Sequence, residues 1–114
     1  MTFELLRRTT DARGLLVEVE ARGLRVRLSF LWHAVSRMRR WQVPEERVIE
    51  TLLFPEEVIV GHHGRFIAQR RYATHLVRAV YSYDDELPVV VTVYYPFWQR
   101  YFQGSTSHAD KILP

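Results

Sequence analysis

The stretch from Leu87 to Tyr95, Leu-Pro-Val-Val-Val-Thr-Val-Tyr-Tyr, constrains this chain more than any other. It is dense in β-branched and aromatic residues and too short for a buried helix, so it reads as a central strand. Strict alternation puts Leu87, Val89, Val91 and Val93 on one face and Val90, Thr92 and Tyr94 on the other. Two further strand-like runs precede it, Arg65 to Tyr72 and His75 to Tyr83, joined by turns at Ala73-Thr74 and Asp84-Asp85-Glu86. Together they predict an antiparallel meander with the 87–95 strand innermost, and Glu57 to His62 as a first strand or its lead-in.

The period changes upstream. Leu15 to Glu20 and Leu24 to Phe30 each alternate, and Ala21-Arg22-Gly23 lies between them as a turn, which predicts a hairpin. A weaker strand signal covers Phe3 to Arg7. From Leu31 to Trp41 the spacing is helical: Leu31, Ala34, Val35, Met38 and Trp41 share an apolar face, and His33, Arg37 and Arg40 share another. Pro44 opens a second helix with Glu45 and Glu46 in its first turn; Val48, Ile49, Leu52 and Leu53 are its buried stripe, and Pro55 ends it. An αα-hairpin on one face of the sheet follows. The expected class is α+β. The single domain of 114 residues divides into a hairpin region (1–30), a core (31–95) and a C-terminal aromatic segment and tail (96–114).

Parity along the meander then sorts the polar residues. Phe66, Ala68, Val77, Ala79, Tyr81, Val89, Val91 and Val93 take the face under the helices. The opposite face receives Arg65, Gln69, Arg71, Arg78, Thr92 and Tyr94, beside Ile67, Val80 and Val90. An arginine-rich sheet face with a hydroxyl and a phenol is either a solvated face, as most antiparallel sheets have, or a surface for phosphate. Arg78 sits mid-strand and favours the second reading. His33 near Arg37 suits general acid or base work if it faces those arginines, and is otherwise an ordinary surface histidine. The run Tyr94, Tyr95, Phe97, Trp98, Tyr101, Phe102 is suited either to burial against the core or to stacking on bases.

Composition narrows the chemistry. Without cysteine there is no disulfide, thiolate metal site or cysteine nucleophile. His62-His63 point to opposite faces and lack a third ligand at recognisable spacing, so neither a metal nor a cofactor is expected. There is no glycine-rich phosphate loop and no nucleophile elbow. No apolar run approaches the ~20 residues of a membrane span, and the first residues lack the order of a signal peptide, so a cytoplasmic protein is expected. The pI is about 9.6, and Lys111 is the only lysine among 16 basic residues. Arginine suits bidentate phosphate contact and stacking on bases, which permits a nucleic-acid partner.

The segments His33-Ala-Val-Ser-Arg37-Met38-Arg39, Val43-Pro-Glu-Glu-Arg-Val48, Pro55, Gly64-Arg65, Ala68-Gln69-Arg70-Arg71-Tyr72, Leu76-Val77-Arg78-Ala79-Val80-Tyr81 and Val90-Val-Thr92-Val-Tyr94 are further evidence. Over about half its length the chain resembles small domains related to RelE/ParE toxins, of the barnase–EndoU–colicin–RelE superfamily. The resemblance implies two helices on one face of a curved antiparallel sheet. It also implies a toxin-type, metal-independent endoribonuclease, in which a ribose 2′-hydroxyl attacks the adjacent phosphate, with RNA as substrate and an antitoxin as partner. On that reading His33 is the acid or base and Arg78 the phosphate-stabilising cation, aided by Arg65 or Arg37. Thr92 and Tyr94 position the phosphate, while Arg37, Gln69 and Arg71 bind RNA. The alternative is a catalytically inert RNA- or protein-binding module using the same face. The hairpin before Leu31 is longer than the resemblance leads one to expect, and it is placed over the open sheet face.

Overall fold

The computed structural model describes residues 2–105 and 107–114. Seven strands and two helices follow one another as β1 (Glu4–Thr10), β2 (Gly14–Ala21), β3 (Leu24–Leu31), α1 (Trp32–Trp41), α2 (Glu45–Leu53), β4 (Glu57–Val60), β5 (Phe66–Tyr72), β6 (His75–Asp84) and β7 (Leu87–Tyr94). The fold is α+β. All seven strands form one open sheet in the order β1-β2-β3-β7-β6-β5-β4, with β7 at its centre as its composition predicts. Every neighbouring pair is antiparallel except β3 and β7, which run parallel through Ser29–Val89 and Phe30–Val90.

The β2–β3 hairpin turns at Arg22 and Gly23, both at positive φ (54° and 75°), the pairing that a two-residue turn between twisted strands requires. Contrary to expectation, this hairpin does not lie over the open face. It extends the sheet in its own plane, hydrogen-bonded edge to edge beside β7.

Helix α1 stops at Gln42, which adopts the left-handed conformation (φ 54°) while its N–H reaches Arg39 O and the Val43 N–H reaches Met38 O. This closure satisfies two of the helix's last carbonyls. Pro44 then starts α2, whose first turn carries Glu45 and Glu46 at the positive end of the helix dipole. Both helices pack on one sheet face, α1 over β2, β3 and β7 and α2 over β5 and β6. The core between the layers holds Ala34, Val35 and Met38 from α1 and Val48, Ile49, Leu52 and Leu53 from α2. From the sheet it takes Leu15, Val17, Val19, Leu28, Phe30, Ala68, Val77, Ala79, Tyr81, Val90 and Val93.

The face assignments change in one strand. In β7 the pairing steps from Thr92–Val80 to Val90–Tyr81, so Val91 is an extra residue at a β-bulge. An inserted residue reverses the parity of everything before it. Val90, expected on the open face, is therefore a core residue opposite Tyr81, while Val89 and Val91 leave the core cluster. Beyond the bulge the expected parity holds: Val93 faces the helices, and Thr92 and Tyr94 face away.

Candidate ligand pocket on the arginine-bearing sheet face

Three adjacent strands place Gln69, Arg78 and Tyr94 side by side on the face away from the helices, Gln69 opposite Arg78 and Arg78 opposite Tyr94. Thr92, opposite Val80, lies two residues along on the same face. The chain past β7 then folds back over this face. Leu76 N–H donates to Pro96 O (2.8 Å) and Trp98 N–H to Thr74 O (3.3 Å), which starts an arm containing a 3-10 turn, Trp98–Arg100. The Tyr101 ring lies 4.2 Å from the Arg78 guanidinium carbon, and the Phe102 ring 4.2 Å from that of Arg71.

The arm is held from beneath by Glu57, a fully buried carboxylate on β4. It accepts hydrogen bonds from the Gln69 side-chain amide, from Gln103 N–H (2.8 Å) and from Ser105 N–H (3.1 Å). Gln69 Nε2 also donates to Tyr101 O (3.3 Å). Three donors converging on one carboxyl group compensate much of the cost of burying it.

Arg78 is in a different state. It is half-buried, and among the described residues no carboxylate pairs with it and no acceptor bonds its guanidinium. Burial pushes its pKa below the usual arginine value, with Tyr101, Tyr94 and Glu57 acting in the opposite sense. Its Nε is buried without a hydrogen-bond partner, as are Gln69 Oε1 and Thr92 Oγ1. Three orphaned polar atoms therefore cluster on one face of three neighbouring strands, where an isolated orphan costs roughly 1–3 kcal/mol. Beside them opens a pocket of about 370 Å³ lined by Trp41, Arg78, Tyr94, Tyr95, Pro96 and Tyr101.

The residues singled out from sequence divide accordingly. Arg78, Tyr94, Thr92 and Gln69 are brought together. Gln69, however, is fully buried and engaged with Glu57, so it supports the floor and offers no surface to RNA. Arg71 pairs with Glu56 (2.9 Å) and stacks on Phe102 and Trp98, which occupies it internally. The Arg71 hydrogen bond also holds the Glu56 carboxyl below its usual pKa. His33 is exposed at the first turn of α1, eight residues from Trp41, or ~12 Å along the helix axis from the pocket wall. Arg37 is one turn from Trp41 and does not line the pocket. Arg65 precedes β5, four residues or ~13 Å of strand from Gln69, the partner of Arg78. Neither His33 nor Arg65 lines the pocket beside Arg78.

Three contributors escaped the sequence reading. Trp41, assigned to the buried helical face, is 40% exposed and walls the pocket. Tyr101 caps the guanidinium, and Glu57 holds the arm that carries it. Only Tyr101 gave a signal, as part of the aromatic run; that run divides, with Tyr94 46% and Phe97 59% exposed and Tyr95, Trp98 and Phe102 partly buried.

Comparison with known proteins adds one finding. The family model of DUF4258, a domain of unknown function, matches residues 30–95, more than half of the chain. The chain belongs to the DUF4258 family. The matched span of this DUF4258 protein runs from the end of β3 through β7, so it includes Trp41, Glu57, Arg78 and Tyr94 and leaves out the arm with Tyr101. No curated protein and no solved structure matches the chain. Among the described residues, no cluster of three or more His, Asp or Glu could hold a metal ion, and no helix is long and apolar enough to cross a membrane.

Proposed function

We propose that this DUF4258 protein is an RNA-binding module that grips the phosphate backbone at Arg78. The observation that carries this reading is the state of Arg78: a half-buried guanidinium with no carboxylate partner among the described residues, at an aromatic-walled pocket. A half-buried cation with no carboxylate in contact is suited to an external anion, and arginine beside exposed rings is a combination that nucleic acid rewards. An excess of arginine over the whole chain adds long-range attraction for a polyanion.

The resemblance to RelE/ParE-like domains supports RNA as the partner, a cytoplasmic setting, and an antitoxin that covers the basic face. The separation of His33 and Arg65 from Arg78 favours binding over cleavage. The test is fluorescence anisotropy of a labelled single-stranded RNA with purified protein in chelator, across a salt series, with product ends mapped on the same samples. Expected are a Kd that weakens steeply with salt, a loss of at least tenfold in Arg78→Ala, and intact RNA. No measurable binding at low salt sinks the proposal. Cleavage that disappears in His33→Ala replaces it with the toxin-type endoribonuclease.

A further inference from the structure

Resting on the RNA-binding reading, the geometry points to a more specific ligand: we propose that the pocket beside Arg78 is a slot for one unpaired nucleotide, its base between aromatic side chains and its phosphate on the guanidinium. Three large rings around this pocket stay open to water, Trp41 at 40%, Tyr94 at 46% and Tyr101 at 39% exposure. They line a volume of about 370 Å³, of the size that small ligands occupy. The charge is arranged to match a nucleotide. One cation, Arg78, lines the pocket and no acid does, so the apolar walls suit the base and the single guanidinium suits the phosphate.

Pairing state follows from the same geometry. A base inside a duplex has both faces covered by its neighbours and cannot enter a walled slot. A base in a single strand can swing out and stack on protein rings. Base identity, by contrast, has little to act on, because the side chains that line the pocket offer only Arg78, the Trp41 indole N–H and the tyrosine hydroxyls as polar groups. The slot therefore takes any of the four bases.

The experiment uses an RNA 12-mer with 2-aminopurine at one central position, free or annealed to its full complement. Expected are single-strand binding at least tenfold tighter than duplex binding, quenching of 2-aminopurine in the single strand only, and less than threefold change when neighbouring bases are permuted. Trp41→Ala and, as a variant at a more exposed position, Tyr94→Ser each reduce the quenching and weaken single-strand binding about fivefold or more, while duplex binding stays as it was. Equal affinity for the two forms, still dependent on Arg78, overturns the slot and leaves RNA binding standing. Single-strand preference unaffected by both aromatic variants also overturns it, and absence of binding to either form removes both readings.

Discussion

Arg78 is held in place by rings and strands, not by an opposite charge. Stacking on Tyr101 contributes on the order of 1 kcal/mol, whereas the orphaned Nε costs a similar amount or more. The two nearly cancel, so Arg78→Ala should lower Tm by no more than about 4 °C, the shift that ~1 kcal/mol produces in a domain of this size. Thermal melts beside the binding assay separate this from a folding defect; a fall of 15 °C makes Arg78 structural. Glu56 behaves differently. Its pKa is depressed in the fold, chiefly by the Arg71 hydrogen bond, so it contributes stability that is fully present above its unfolded pKa of ~4.3 and is lost as pH falls through the lower folded value. Arg71 is exposed, so solvent screens the pair and its contribution is small. Urea midpoints of Glu56→Gln and the parent should differ slightly at pH 7 and coincide near pH 2; a gap that persists in acid rules out the linkage.

Among elements, the arm after β7 carries the most consequence for the least regular structure. Glu57 anchors it, and replacing this residue with alanine removes the acceptor of two backbone N–H groups and one of the two acceptors of the Gln69 amide. A loss of about 3 kcal/mol, or roughly 12 °C in Tm, is expected. Hydrogen exchange supplies the check: the amides of Gln103 and Ser105 should lose protection in Glu57→Ala while those of β6 and β7 keep theirs. Uniform loss across the sheet shows that Glu57 supports the core and not the arm. The elements themselves were legible from sequence wherever one period ran unbroken, as in the α2 stripe Val48, Ile49, Leu52, Leu53 or the alternation of β2 and β3. Legibility failed at Val91, because a bulge is set by the pairing partner across the strand and leaves no mark on local periodicity. It failed again for Glu57, whose donors lie 46 and 48 positions away along the chain. Trp41 fits a helical apolar face by spacing, yet it is the last residue of α1, where the helix ends beside β7 and the core has run out.

At the level of the whole molecule, the C-terminal tail closes one border of the sheet and leaves the other open. Val58 N–H donates to Ser107 O (3.4 Å) and Ala109 N–H to Val58 O (2.9 Å), so β4 is paired on both sides, and Leu113 plugs into the core. Asp110 accepts from the Tyr81 and Tyr83 hydroxyls at 2.7 and 2.6 Å and ties the tail to β6. Burial, reinforced by that carboxylate, raises the pKa of both phenols, and Tyr72, half-buried and bonded to Glu50, is pushed up to about 12. Phenols whose pKa is raised by folding contribute stability that is complete below ~10 and disappears as pH climbs through the folded value. In an alkaline ramp, part of the 295 nm phenolate absorbance should therefore appear only with the loss of far-UV circular dichroism above pH 11. Full ionisation of all six tyrosines before unfolding contradicts this.

The wall supplied by Tyr101 has a consequence in time. A ribosome delivers residue 41 first and residue 101 late, and the backbone amides that grip Glu57 later still. During synthesis the growing polypeptide therefore presents strands and helices well before it owns a finished pocket wall. The pocket beside Arg78 stays incomplete in the nascent protein until its aromatic arm has emerged and folded back.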